Sequence, residues 1–156
     1  MEAFLSSTAV VALAEVGDKT MLLAIVLAAR LRAHWAILAG ILVATLANHA
    51  LAALVGSQVA GLLQADWFRI AVALGFVAMA AWTLVPDKLE DDEETVRSFG
   101  GAFLTTLVSF FVVEMGDKTQ VATIALAAHY QSVLVVAAGT TLGMMLANGP
   151  AVFLGE

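Results

Sequence analysis

EVGDKT, residues 15–20, lies inside an otherwise apolar stretch and returns as EMGDKT at residues 114–119. Each copy places two acidic residues and a lysine where a membrane-spanning segment is normally apolar. A charged residue at the centre of a membrane helix costs about 2.5–3.5 kcal/mol on insertion scales. Two copies with three charges each therefore indicate a functional site rather than a packing device.

The composition is that of a multi-pass membrane protein. The chain has 156 residues, of which 62% are hydrophobic and 13% charged, whereas soluble domains carry about 25% charged residues. Residues 33–65 and 119–155 contain no Asp, Glu, Lys or Arg, and each stretch exceeds the roughly 20 residues that cross a bilayer. The sequence has no basic patch that could hold nucleic acid. It also has no cysteine for a disulfide or a thiolate metal site.

Hydrophobic spans and basic residues together predict a topology. Five spans can be drawn, over residues 4–29, 35–62, 67–85, 102–128 and 132–154. The N-terminus lacks the basic segment and cleavage site of a signal peptide, so the first span is expected to be retained. Lys and Arg favour cytoplasmic loops, and four of them share one side of this arrangement: Arg30, Arg32, Lys88 and Arg97. This predicts a periplasmic N-terminus and a cytoplasmic acidic loop at residues 87–94.

The chain is an internal duplication. A shift of 99 residues places Phe4 on Phe103 and Glu15 on Glu114, and LAN at 46–48 recurs at 146–148 with a one-residue slip. The predicted domains are a first three-helix repeat at 1–86, an acidic linker at 87–100 and a second repeat at 101–156 that stops after its second helix. Because three helices precede the linker, the second unit starts from the opposite side. The expected fold is an all-α inverted repeat of three-helix units, typical of transporters, with the sixth helix absent from this chain.

The motif acids are the candidate metal ligands: Glu15, Asp18, Glu114 and Asp117. On a continuous helix Glu15 and Asp18 would project about 60° apart, and inverted symmetry would bring the two acidic faces together. Four carboxylates with neutral oxygens nearby suit Mn²⁺, Ca²⁺ or Mg²⁺. The lack of cysteine and of a repeated histidine argues against Zn²⁺ and Cu⁺.

Neighbouring polar residues are expected to support the site or line the cation pathway: Lys19, Thr20, Lys118, Thr119, Gln120, Asn48 and Asn148. Lys19 follows Glu15 by four residues, a spacing that favours an ion pair on one helix. Gly17 and Gly116 allow close helix approach or a local break. Residues 148–150, Asn-Gly-Pro, are predicted to interrupt their helix. His49 breaks the symmetry of the repeat and is interpreted as a hydrogen-bonded helix residue rather than a ligand.

The charges of the two motifs suggest an exchange mechanism. Four carboxylates (−4) and two lysine ammonium groups (+2) leave a net charge of −2. One divalent cation or two protons would neutralise it. The hypothesis is that cation and protons compete for the same carboxylates and are exchanged by alternating access.

A pair of E-x-G-D-[KR]-[TS] motifs, each in the first helix of a three-helix unit, resembles one family of small cation transporters. This family includes the Golgi manganese/calcium transporter, thylakoid manganese transporters and bacterial manganese exporters of the MneA type. The resemblance implies six helices, an inverted repeat and transport of Mn²⁺ or Ca²⁺ in exchange for protons. The short chain resembles the bacterial members, which implies Mn²⁺ export across the inner membrane. No cofactor is expected, and the partners are the cation, protons and the lipid bilayer.

Several alternatives stay open from the sequence. Oxygen ligands alone do not distinguish the Mn²⁺ exporter from a Ca²⁺/H⁺ exchanger of the same architecture. An intramembrane aspartyl protease carries G-x-G-D, but both copies here have Glu in place of the first Gly. A purely structural membrane protein does not explain the repetition. The acidic loop is either a solvated linker or a collector of cations, and a homo-oligomer is left open.

Overall fold

The computed structural model describes residues 1–85 and 98–155, so the predicted acidic loop at 87–94 lies outside the described residues. The described residues form seven α-helices and one short 3₁₀ helix, without a β-strand. In chain order these are α1 (Glu2–Glu15), α2 (Lys19–Leu31), α3 (His34–Val59), the 3₁₀ helix (Ala60–Gln64), α4 (Asp66–Thr83), α5 (Ala102–Glu114), α6 (Lys118–Tyr130) and α7 (Val133–Leu154). The predicted all-α fold is confirmed.

The fold buries several charged side chains and exposes many large apolar ones. Glu15 and Asp18 are fully buried, while Trp35 is 79% exposed and Leu134 is 83% exposed. Fully buried acids are rare in soluble proteins, and a bilayer favours an apolar exterior. Three helices are long and apolar enough to cross a membrane, at His34–Leu62, Asp66–Thr83 and Val133–Leu154. The architecture is consistent with a membrane protein.

The first and fourth predicted spans are each divided into two short helices. α1 and α2 have 14 and 13 residues, and α5 and α6 have 13 each. Helices of this length extend about 20 Å, less than the roughly 30 Å of a hydrocarbon core. The geometry of a continuous helix through Glu15 and Asp18 therefore does not apply, and of the two options for Gly17, close helix approach or a local break, the structure shows the break. The cause is the glycine between them, since Gly17 has φ +79° and its counterpart Gly116 has φ +83°, a region that disfavours residues with a β-carbon.

The prediction that residues 148–150 interrupt their helix is wrong. α7 continues through Pro150 to Leu154. Proline removes one backbone donor from a helix, but membrane helices tolerate it where neighbouring groups satisfy the freed carbonyl. The breaks of this fold lie at the repeated motif and not at the proline.

The helices of the two sequence repeats pack across each other. α1 packs against α7, and α5 packs against α3. A β-carbon added to Gly139 of α7 would lie 2.7 Å from the carbonyl oxygen of Phe4, and one added to Gly40 of α3 would lie 2.8 Å from that of Phe103. The two contacts are equivalent in the repeats, because Gly40 corresponds to Gly139 and Phe4 to Phe103 by the shift of 99 residues. Both contacts require glycine because the helix backbones touch.

The same exchange is repeated at the other end of α3 and α7. A β-carbon at Gly155 would lie 2.6 Å from the carbonyl oxygen of Ile25, and one at Gly56 would lie 2.2 Å from that of Ile124. These residues again correspond by a shift of 99. At both of these contacts, the corresponding positions of the two repeats therefore occupy corresponding places.

Candidate cation site

The two copies of the motif have the same backbone structure. α1 ends at Glu15, and Asp18 caps α2 by accepting a hydrogen bond from the Thr20 N–H at 3.5 Å. In the second copy Asp117 caps α6 by accepting from the Thr119 N–H at 3.4 Å. Asp is a preferred N-cap residue because its carboxylate satisfies free backbone donors at the helix start. Each motif thus places a glutamate at the end of one half-helix and an aspartate at the start of the next.

Three of the predicted acids come together in the interior. Carboxylate oxygens of Glu15, Asp18 and Asp117 lie within 4.8 Å of one another, and all three residues are buried. The fourth acid, Glu114, lies outside this group, and its Oε1 accepts a hydrogen bond from Thr45 Oγ1 at 3.0 Å. Like charges at such short distances repel strongly away from water. The cluster therefore requires positive charge.

The two motif lysines supply positive charge to the opposite repeat. Lys118 forms a buried ion pair with Asp18, and Lys19 Nζ lies 3.8 Å from Asp117 Oδ1. The predicted pair between Lys19 and Glu15 is not formed in the described structure. Residues 16–18 are not helical, so a spacing of four residues no longer places two side chains on one face.

Neutral groups hold one oxygen of Glu15. Its Oε2 accepts hydrogen bonds from Thr20 Oγ1 at 2.5 Å and from Asn148 Nδ2 at 3.4 Å. Asn48, from the first repeat, donates its Nδ2 to the carbonyl oxygen of Phe111 at 3.0 Å. The two predicted asparagines therefore both face the broken helices of the other repeat, one at a carboxylate and one at the backbone.

Four buried oxygens of this region have no hydrogen-bond donor among the described residues: Glu15 Oε1, Glu114 Oε2, Asn48 Oδ1 and Asn148 Oδ1. Buried polar atoms are nearly always hydrogen-bonded. A group of buried acceptors without donors is instead what a hard divalent cation requires, because Ca²⁺ and Mn²⁺ take carboxylate and amide oxygens as ligands.

The residues that end the two motifs have different roles. Gln120 Oε1 accepts a hydrogen bond from the Gly116 N–H at 2.7 Å, so its side chain stabilises the break itself. Met21 occupies the equivalent position of the first motif and has no oxygen for that bond. The Thr119 hydroxyl lies 3.4 Å from Asp117 Oδ2.

Two residues of α3 next to the site were absent from the predicted set. Thr45 contacts Glu114, and the signal for it is its position three residues before Asn48, on the same helix face. His49 is fully buried, and neither of its ring nitrogens is hydrogen-bonded within the described ranges. The prediction that His49 is a hydrogen-bonded helix residue is therefore wrong.

Known proteins resemble this chain over almost its whole length. It is 50% identical over 151 residues to the "Putative manganese exporter" of Vibrio cholerae serotype O1, an alignment that covers 96% of this chain and 74% of the relative. It is 30% identical over 163 residues to a GDT1-like protein of Synechocystis, covering 92% and 78%. GDT1-like protein 3 of Oryza sativa subsp. indica is 28% identical over 180 residues, covering 99% and 64%. No solved structure matches the chain.

The family described as "Divalent cation/proton antiporter GDT1" matches residues 3–91 and 102–156. Both repeated motifs lie inside the matched ranges, which confirms the resemblance predicted from them. Antiport of ions across a membrane also agrees with charged motifs in broken helices and with an apolar exterior. The chain therefore belongs to the GDT1 family of divalent cation/proton antiporters, and it is a membrane transporter rather than an enzyme.

Proposed function

We propose that the protein exports Mn²⁺ from the bacterial cytoplasm in exchange for protons, and that Glu15, Asp18, Glu114 and Asp117 hold the cation on its way. The observation that carries this proposal is the group of buried acceptor oxygens without donors beside the broken helices. The name of the Vibrio cholerae relative supports Mn²⁺ as the cation and export as the direction. The second candidate is a Ca²⁺/H⁺ exchanger, since an all-oxygen ligand set also suits Ca²⁺.

The ion pairs refine the charge balance of the exchange. Lys118 and Lys19 pair with the two aspartates, whereas each glutamate keeps one oxygen without a donor. The two glutamates therefore carry the charge of −2 that remains after pairing. One Mn²⁺ or two protons on Glu15 and Glu114 would neutralise it, which makes the two cargoes mutually exclusive. The proposed cycle replaces one bound Mn²⁺ by two protons.

We infer that the two units, 1–86 and 101–156 joined by the linker 87–100, are related by an inverted two-fold axis. The support is the exchange of contacts between repeats, in which Gly40 meets Phe103 while Gly139 meets Phe4. The two lysine–aspartate ion pairs are exchanged between the repeats in the same way, since Lys19 pairs with Asp117 and Lys118 pairs with Asp18. An inverted repeat gives the site two equivalent surroundings, one facing each side of the membrane, which is the basis of alternating access.

The proposed location is the bacterial inner membrane, with a periplasmic N-terminus and a cytoplasmic acidic loop. The support is the distribution of Lys and Arg in the sequence. Fusion of a periplasm-specific or cytoplasm-specific reporter after residue 92 tests this topology. Activity of a reporter that works only in the periplasm would contradict it.

Transport by the purified protein in proteoliposomes tests the function. A Mn²⁺ gradient should drive proton movement in the opposite direction, and Glu15→Gln and Glu114→Gln should each abolish both fluxes. Glu2→Gln is the matched control, because Glu2 is exposed in the first turn of α1. Mn²⁺ flux without proton flux would refute the exchange, and normal flux in both site variants would refute the site. Parallel assays with Ca²⁺ distinguish the second candidate.

A further inference from the structure

Two buried hydroxyl groups have no part in the site described above. Ser7 lies in α1 and Thr106 in α5, and both residues are fully buried. Neither hydroxyl has a hydrogen-bond partner among the described residues. A hydroxyl on a helix can donate to the carbonyl four residues before it, as Thr8 of α1 does to Phe4 at 2.8 Å. A buried hydroxyl without any partner is costly, so these two positions require a reason.

The two hydroxyls occupy equivalent places in the two repeats. Ser7 corresponds to Thr106 by the shift of 99 residues, and each faces a glycine of the helix packed against it. A β-carbon added to Gly139 of α7 would lie 3.0 Å from the Cβ of Ser7, and one added to Gly40 of α3 would lie 2.8 Å from that of Thr106. The same unsatisfied group at the same place in both halves indicates a shared role.

The seam between α1 and α7 leads from Ser7 to the glutamate of the first motif. Ser7, Val11 and Glu15 follow one another at intervals of four residues, so they share one face of α1. That face is turned toward α7, because a β-carbon added to Gly143 would lie 3.1 Å from the Cβ of Val11 and Glu15 Oε2 bonds to Asn148. Eight residues of helix separate the hydroxyl from the glutamate by about 12 Å.

The seam between α5 and α3 repeats this order in the second half. Thr106, Phe110 and Glu114 have the same spacing along α5, and Glu114 bonds to Thr45 of α3. Phe110 corresponds to Val11 by the shift of 99, and both are fully buried. Each seam therefore contains a hydroxyl, then an apolar side chain, then the glutamate. In the described conformation the apolar side chain separates the two polar groups.

We propose that Ser7 and Thr106 line the two access pathways of the transporter, from opposite sides of the membrane, and that each hydroxyl binds water on the way to the glutamate of its own repeat. The inference rests on the proposed function and on the inverted repeat proposed with it. In that arrangement the α1–α7 seam opens toward the periplasm and the α5–α3 seam toward the cytoplasm. Water in an open seam supplies the partner that the hydroxyl lacks, while Val11 or Phe110 closes the other seam.

Cysteine accessibility tests the two pathways, since the chain has no cysteine of its own. Ser7→Cys should react with a membrane-impermeant methanethiosulfonate in spheroplasts, which expose the periplasmic face, and not in inverted vesicles. Thr106→Cys should react in inverted vesicles and not in spheroplasts. Ala53→Cys is the control and should react in neither, because Ala53 is fully buried in an apolar cluster, where a thiol is inert.

The sides of reaction decide the result. Reaction of both cysteines from the same side, or of neither, would overturn the proposal. Reaction from opposite sides but in the reverse order would support the two pathways and contradict the proposed topology. If the cysteines react from opposite sides while the wild-type protein does not exchange Mn²⁺ for protons, the proposed function fails and the pathways stand.

Removal of the hydroxyls tests their role without a thiol. In proteoliposomes, Ser7→Ala and Thr106→Val should each lower the maximal rate of Mn²⁺ exchange by about three- to tenfold, which corresponds to the loss of one hydrogen bond. The apparent affinity for Mn²⁺ should not change, because both hydroxyls lie two helical turns from the glutamates. Thr83→Val is the control, since the Thr83 hydroxyl donates to the Met79 carbonyl of α4. Unchanged maximal rates in both variants would overturn the role of the hydroxyls.

Discussion

The two crossed ion pairs differ in burial, and this difference predicts unequal effects of equivalent mutations. The side chains of Lys118 and Asp18 are 3% and 0% exposed, whereas Lys19 is 26% exposed and lies 3.8 Å from Asp117. The two lysines occupy the same position of the repeated motif. Sequence symmetry therefore predicts that Lys118→Met and Lys19→Met have equal effects on stability, and the structure predicts that they do not.

Lys118→Met should destabilise the protein by about 3–5 kcal/mol, because it leaves Asp18 as an uncompensated charge in the interior. Lys19→Met should cost nearer the roughly 1 kcal/mol of a pair that water reaches. Removal of both partners, in Lys118→Met with Asp18→Asn, should recover most of the first loss, since replacing a whole buried pair is often close to neutral.

Reversible unfolding in mixed micelles at rising SDS content measures these free energies, with tryptophan fluorescence as the signal. The chain has three tryptophans, and none is at a substituted position. Stability is a suitable readout because Asp18 is also a proposed cation ligand, so transport would be lost in several variants for a different reason. Equal destabilisation by Lys118→Met and Lys19→Met, or a double variant no more stable than Lys118→Met, would refute the reasoning.

Three further predictions concern packing, backbone strain and the glutamate of the second motif. Gly56→Ala should destabilise the protein by about 1–3 kcal/mol, because its β-carbon would lie 2.2 Å from a carbonyl oxygen of α6. Gly61→Ala is the control, since its β-carbon would meet nothing within 4 Å. Unfolding in SDS measures the free energy of both variants. Gly17→Ala also meets nothing within 4 Å but has φ +79°, so it should cost about 1–2 kcal/mol more than Gly61→Ala in the same assay. Thr45→Val removes the 3.0 Å hydrogen bond to Glu114 and should lower Mn²⁺ transport at limiting Mn²⁺ by about tenfold or more, whereas Thr45→Ser should keep it; equal rates for the two variants would contradict this.

The sequence was sufficient for the class of fold and for the chemistry of the repeated motif. An apolar chain that repeats three charged residues cannot place them in lipid, so the burial of Glu15 and Asp18 followed from composition alone. The break between them was only one of two options for Gly17, because a glycine in a membrane helix serves either close helix packing or a local break. Its positive φ is a property of the backbone that no single residue type specifies.

The partners of the charged groups could not be predicted from spacing. Lys19 follows Glu15 by four residues, and a helical pattern therefore favoured a pair within one repeat. The break removed that geometry, and the contacts of α1 with α6 and of α2 with α5 brought the aspartate of the other repeat within reach.

The crossed ion pairs also make each half of the chain dependent on the other. Lys118 neutralises Asp18, and Lys19 neutralises Asp117, so neither half contains the counter-ion of its own aspartate. Either repeat alone would keep an uncompensated carboxylate in a medium where a lone charge is costly. The two motifs therefore cannot be separated, and the charge of each half is balanced only in the assembled pair.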